Sequence, residues 1–329
     1  MRNIARICSL AFFVFLTITS TTLLFTQQTP RCVALMTEVR GDVFVQPAQQ
    51  RELKKALWGT QLYHGDVIKT SGSGQATLLF SNNNLIEVGP GSTLTISERP
   101  ATLAKKSRTL SGLHSENLVD LSGLTLRTTS AGEIVALAGL RSVTVPKSVE
   151  PTSPRNSRVR SVAPTFSWQS GSGVRKYRVR VFDNKGLLWA RETERTMLEY
   201  PSDEKPLRAG ETYFWKVEGL GLVESSSSES FGFSVLSSDE LAELESQERA
   251  VTEAFRDELT GTTCNFLLGT LYQKYGVLHE AITKFEAVAQ NHADAPKAHE
   301  VLGKLYNDLG FKDKAISALQ KALDLSQQK

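Results

Sequence analysis

With 329 residues, 40% of them hydrophobic and 22% charged, the chain has room for two or three folded domains and is too apolar for wholesale disorder. It carries 38 basic and 35 acidic residues, a formal charge of +3. Arg2, Arg6 and Arg31 are the basic residues of positions 1–34, which hold no acid, so residues 35–329 balance to zero and nucleic-acid binding has no electrostatic support. The N-terminus comes first in chain order. Met1–Arg6 is short and positive, Ile7–Ile18 is apolar, and Thr17–Thr22 is rich in hydroxyls. Cys32-Val33-Ala34 is a small-x-small cleavage site, so residues 1–34 are expected to be a signal peptide cut after Ala34. The alternative is an uncleaved anchor over residues 7–26, long enough for a hydrocarbon core of about 30 Å. Under either reading the body is exported to the periplasm or cell envelope, with Arg2 and Arg6 holding the leader's start inside. Membrane contact is expected only through this segment, if it stays uncleaved.

Residues 38–98, within a β domain placed at 35–145, read as short strands between glycine turns. Val39, Gly41, Val43 and Val45 alternate, as do Ala76, Leu78 and Phe80, then Leu94 and Ile96. Gly65-Asp66, Gly72-Ser73-Gly74 and Gly89-Pro90-Gly91-Ser92 supply turns. The run Gly41-Asp42-Val43, Trp58, Leu62, Gly65 to Thr70, Gly74 to Phe80 and Ile86 to Leu94 resembles the FecR-like domain of bacterial envelope proteins. Where that family has an Asp-Gly turn, this chain has Asn82-Asn83-Asn84, and Asn tolerates the left-handed region. Further strands are expected over Leu118–Thr128 and Ile134–Val145.

Residues 146–163, with Pro146, Pro151 and Pro154, read as an extended linker. Residues 164–236 read as a small β-sandwich, in which Tyr177, Val179 and Val181 alternate with Arg178 and Arg180. Leu207, Gly210 and Tyr213 have the spacing of a tyrosine corner, and the segment resembles a fibronectin type III or immunoglobulin-like domain. Trp168 and Trp215 are expected inside, rather than on a sugar-binding platform.

From residue 239 the period becomes helical. At an offset of 34, Leu268-Gly269 matches Leu302-Gly303, Tyr272 matches Tyr306, Gly276 matches Gly310, Ala281-Ile282 matches Ala315-Ile316, and Phe285 answers Leu319. This period resembles tetratricopeptide (TPR) repeats, placed at 262–295 and 296–329. Gly269, Gly303, Ala281 and Ala315 let paired helices approach, and Gly276 and Gly310 end the first helix of each pair. Residues 239–259 are expected as a packing helix or degenerate half-repeat, with Leu241, Leu244, Val251 and Phe255 on one face. The fold class is therefore multi-domain, β then α.

Charge is uneven: residues 99–160 hold ten Lys/Arg and four Asp/Glu, whereas residues 239–258 hold eight acids and two Arg. The bland reading is a solvated linker and a solvated helix face; the sharper one is a basic patch for anionic envelope polymers or headgroups. Cys8, Cys32 and Cys264 make no metal spacing, and Cys264 is expected as a buried filler. His64-Gly65-Asp66 reads as turn chemistry, and His292 and His299 as exposed helix-end histidines. No phosphate-binding loop, GxSxG or HExxH occurs. No catalysis, cofactor or metal is expected. The resemblance to TPR repeats implies a protein or peptide ligand on the concave face, where Thr270, Gln273, Lys304 and Asn307 are placed. The FecR family's sigma-factor relay is not expected, because few residues precede the apolar segment. The expected function is an envelope adaptor or sensor-like scaffold; the alternative is binding of a cell-wall polymer or carbohydrate by the β modules.

Overall fold

The computed structural model describes residues 31–97, 106–109, 149–171, 173–221 and 225–328. The leader to Pro30 and the strands expected over 118–128 and 134–145 lie outside the described residues. From Arg31 onward the chain forms one compact unit. Its order is β first and α last, with eighteen strands followed by five helices among the described residues.

The first module holds β1 (Cys32–Arg40), β2 (Val43–Gln46), β3 (Lys54–Lys55), β4 (Gln61–Tyr63), β5 (Val67–Thr70), β6 (Gln75–Phe80), β7 (Asn84–Val88), β8 (Thr93–Thr95) and β9 (Lys106–Thr109). They form two antiparallel sheets, ordered β4-β1-β6-β7-β9 and β3-β2-β5-β8. Ala34, Met36, Val43, Val45, Ile68, Leu78, Phe80 and Ile86 fill the space between the sheets. The intervening Leu35, Leu79 and Leu85 point the other way, into the core of the helices. β1, β6 and β7 thus bury side chains on both faces, which is why Val33-Ala34-Leu35-Met36 and Leu78-Leu79-Phe80 are unbroken apolar runs. The expected boundary at Ala34 is corrected here. Ala34 is fully buried in β1, opposite Leu62 and Phe80, so Cys32–Ala34 belong to the folded body. At the Asn82–Asn84 turn, Asn83 adopts φ +61°.

The second module is a sandwich. One sheet joins β10 (Glu150–Ser153), β12 (Phe166–Gln169) and β15 (Met197–Leu198). The other joins β11 (Ser157–Val159), β18 (Phe231–Val235), β16 (Thr212–Leu220), β13 (Lys176–Asp183) and β14 (Gly186–Thr193) in that order, with β17 (Ser225–Ser227) beside β16. The core is aromatic: Phe166 meets Trp215 and Trp189 edge-on at 5.0 and 5.5 Å, and Trp168 and Trp215 are both buried. The Trp215 indole donates to the Pro154 carbonyl at 2.6 Å. Tyr213 Oη accepts the Arg208 amide at 2.8 Å across a turn where Gly210 has φ +80°.

The expected linker over 146–163 is corrected as well. Residues 150–159 supply β10 and β11, one in each sheet, and Ser157 is buried. The prolines do not prevent this, because β10 and β11 lie at sheet ends, where proline's missing N–H costs no ladder bond.

The helices are α1 (Ser238–Ala254), α2 (Thr262–Lys274), α3 (Leu278–Asn291), α4 (Pro296–Asp308) and α5 (Lys312–Gln327). A capping box starts α1: Ser237 Oγ accepts the Glu240 amide, and Glu240 accepts the Ser237 amide. The expected helix over 239–259 is shorter in the structure, ending at Ala254 before a 3-10 turn at Arg256–Glu258. α2 and α4 end alike. Val277 N–H bonds Tyr272 O and Gly276 N–H bonds Gln273 O; Phe311 and Gly310 repeat the pattern with Tyr306 and Asn307. These are Schellman closures, and Gly276 and Gly310 supply the φ of +72° and +79° that they require. A Cβ on Gly269 would lie 2.9 Å from the Phe285 ring, and one on Gly303 would lie 2.6 Å from Leu319 Cγ, so both helix pairs touch at backbone distance.

Candidate functional site

Four residues of α2, Thr263, Phe266, Thr270 and Gln273, follow i, i+3, i+7 and i+10 and form one stripe. Their counterparts one period later, Lys297, Glu300, Lys304 and Asn307, form the same stripe on α4. The β module covers the N-terminal half of this double stripe. Thr37 Oγ1 lies 3.1 Å from Thr263 Oγ1 in a buried hydrogen bond. Trp58 stands edge-on to Phe266 at 5.7 Å. The backbone at Gly59 meets Lys297 so closely that a Cβ there would lie 2.9 Å from Lys297 Cβ.

The C-terminal half holds the four residues expected from sequence. Gln273 and Asn307 are exposed, while Thr270 and Lys304 are half-buried. Thr270 donates its hydroxyl to Phe266 O at 2.9 Å, and Lys304 pairs with Glu300 at 3.2 Å. No hydrogen bond or ion pair joins any two of the four among the described residues. They share a face without forming a polar cluster. Lys297 also pairs with Glu300, at 3.1 Å, so the α4 stripe carries two cations to one acid.

Sequence reasoning missed the groups that hold this face in place. β11 and its flanks run past the two Schellman turns. Arg155 donates to the Gly310 carbonyl at 2.9 Å and stacks its guanidinium on Phe231 and Phe311 at 4.0 and 4.6 Å. Ser157 Oγ and the Arg158 amide both donate to the Gly276 carbonyl, at 3.2 and 2.9 Å. Three residues of strand span about 10 Å, the spacing of neighbouring helices, so one strand reaches both turns. Arg158 grips Glu240 through both nitrogens, and Arg160 grips Glu248. The uneven charge of the sequence was the available signal: arginines of the basic stretch meet acids of α1. They are spent inside the molecule, which corrects the reading of 155–160 as solvated.

The electrostatics follow from these contacts. Arg158 and then Ser237 hold the Glu240 carboxyl down at about 2. Burial pushes the Glu248 carboxyl up, but hydrogen bonds from Tyr272 and Arg160 outweigh it and leave it below the usual range. Burial raises Glu280, which faces Arg160 and Glu248. His292 and His299 are buried, not exposed helix-end residues as expected. His299 Nε2 lies 3.0 Å from the Ala293 carbonyl. Asp66 accepts the amides of Ala48 and Tyr63 at 3.1 and 2.9 Å, so its carboxylate holds a turn. Among the described residues no three His, Cys, Asp or Glu side chains are placed to hold a metal ion, and no helix is long and apolar enough to cross a membrane. A cleft of about 520 Å³ lies beside the covered half of the stripe, between Thr77, Leu85, Phe255 and Thr263.

No family model and no curated protein matches the chain. Among solved structures, a cell surface anchoring domain is 23% identical over 20% of this chain and 84% of its own, with a TM-score of 0.19. The fn3 domain of human collagen alpha-1(XX) chain is 16% identical over 30% of this chain and 94% of its own, with a TM-score of 0.24. A beta-1,2-glucanase from Parabacteroides distasonis is 10% identical over 90% of this chain and 58% of its own, with a TM-score of 0.19.

Proposed function

We propose that this protein is a non-catalytic, exported envelope scaffold that holds a protein or peptide ligand on the uncovered half of the α2/α4 stripe. In this reading α2–α3 and α4–α5 are two TPR repeats, the first module is FecR-like, and the sandwich is of fibronectin type III or immunoglobulin type. The period of 34, the glycine contacts and the paired Schellman turns support the repeat assignment. The observation that carries the function is the division of the stripe. Equivalent positions of the two repeats are filled by the chain's own Thr37, Trp58 and Gly59 at one end and left to solvent at Gln273 and Asn307 at the other. The open end offers the amides of Gln273 and Asn307 and the excess ammonium charge of Lys297 and Lys304 over Glu300, which suit a polar or acidic segment.

Photo-crosslinking residues placed at Gln273 and Asn307 in the intact chain, in cells, test this reading. The expected result is the same adduct at both positions, absent when the crosslinker sits at Ser317 on α5 and reduced by Lys304→Glu. Adducts that do not depend on position, or that survive Lys304→Glu unchanged, would sink the proposal.

A further inference from the structure

The outward face of the sandwich's larger sheet changes character along its length. Register sets Phe214 of β16, Phe182 of β13 and Leu187 of β14 in one row, followed by Lys216, Arg180 and Ala190, then by Glu218, Arg178 and Glu192. The charged rows are tied together: Glu192 pairs with Lys176 and Arg178, and Glu218 pairs with Arg178, Arg180 and Lys216. Among the described residues nothing covers the apolar row. Leu187 is 55% exposed, Phe214 44% and the adjoining Leu188 40%. Gly232, beside Phe214, adds no side chain to shield it.

The same end of the sandwich carries a cleft of about 410 Å³ beside the β13–β14 turn, lined by Lys185, Lys205 and Arg208 with Asp183, Glu211 and Leu188. Asp183 is committed to the turn, where its Oδ1 accepts the amides of Lys185 and Gly186 at 2.8 and 3.0 Å. The side chains of Lys185, Lys205 and Arg208 make no hydrogen bond or ion pair among the described residues. A soluble anion would satisfy the three cations and leave the apolar row in water. An apolar protein surface would cover the row and strand the cations. A lipid surface with anionic headgroups satisfies both.

We propose that this end of the sandwich docks onto a bilayer containing anionic phospholipid. Leu187, Leu188 and Phe214 enter the interfacial layer, and Lys185, Lys205 and Arg208 face the phosphates. The partner-binding stripe plays no part in this contact.

The test is co-sedimentation of residues 31–329, the compact unit, with phosphatidylcholine vesicles made with or without phosphatidylglycerol. Binding is expected only to the anionic vesicles and falls as salt rises. Neutralising Lys185, Lys205 or Arg208 with Gln weakens it roughly fivefold per charge removed. Leu187→Ser weakens it without lowering the thermal midpoint, because that side chain is already more than half exposed, and Phe214→Ser weakens it with a small loss of stability, because its ring also packs on Gly232; either variant suffices if the other fails to fold. Absence of saturable binding to anionic vesicles overturns the proposal. So does binding that inorganic phosphate abolishes while the two Ser variants leave it intact, which would make the site one for a free anion.

Discussion

Gly303 shows how a missing side chain can set the geometry of a helix pair. In a helix interior, Gly→Ala normally stabilises by about 1 kcal/mol. Here the new Cβ would sit 2.6 Å from Leu319 Cγ and 2.7 Å from Cδ2, well inside contact distance. Overpacking of this kind costs about 1–3 kcal/mol, so the steric term wins. Gly303→Ala should lower the urea midpoint, and the same change made in a Leu319→Ala background should cost less or turn stabilising, because the room it needs is already open. A second residue-scale expectation concerns His279. Burial first, then Arg155 and Lys314, lower its imidazole from 6.5 to about 4. The native state therefore keeps His279 neutral while the unfolded chain protonates near 6.5. Between those two values the unfolded state binds the extra proton, so stability falls as pH falls through that window. Replacing His279 with Gln should flatten this slope, seen as a smaller difference in urea midpoint between about pH 7 and about pH 5. An unchanged slope would show that His292 and His299, whose shifts have the same sign, carry the effect.

At the scale of elements, the segment 155–160 does more than its composition suggests. Arg155 is 6% exposed and serves Glu150, the Pro151 carbonyl and the Gly310 carbonyl together. Arg155→Ala leaves those acceptors without their donor and should cost about 2 kcal/mol. Arg178→Ala, in the exposed ladder on the sandwich's outer face, should cost about 1 kcal/mol or less. Hydrogen exchange separates the cases: in Arg155→Ala the amides of Gly310 and Phe311 exchange faster, and in Arg178→Ala they do not. The contrast also shows what a sequence discloses. The helices and their glycine stops were legible because their signals are local: a small residue facing a large one, a glycine where φ must be positive. The strand character of 150–159 was not legible, because β11 pairs in parallel with β18 far along the chain, β10 meets β12 only across a bulge, and proline and arginine mask the alternation. Val33-Ala34-Leu35-Met36 did carry its own signal, an apolar run too dense for a strand buried on one face only. The same property makes it resemble a cleavage region. The stripe of Thr270, Gln273, Lys304 and Asn307 was legible from the repeat; its occupied half was not, because nothing near Trp58 in sequence points to Phe266.

For the whole molecule, the consequence is that the helices share their core with the β module. Leu35, Trp58, Leu79 and Leu85 of the β module belong to the same buried cluster as Phe266, Phe285 and Leu302. The sandwich in turn holds the repeat turns through Arg155–Arg158. Chains of separate modules on linkers unfold in steps, whereas modules that share a core lose it together. Residues 31–329 should therefore unfold in one transition, with tryptophan fluorescence and helical circular dichroism changing at the same denaturant concentration. Trp58 is the test of this coupling. It is 2% exposed, and its Nε1 is buried with no hydrogen-bond partner among the described residues, so it contributes by packing. Trp58→Ala should cost about 3–5 kcal/mol if the interface cannot collapse around the void. It should also separate the two probes, the helical signal melting first, because the sandwich keeps its aromatic core while α2 loses its cover. Loss of stability with both probes still coincident would mean that the clamp at Gly276 and Gly310 is enough to couple the modules. In that case the double variant Trp58→Ala, Arg155→Ala is the one in which the helices melt alone.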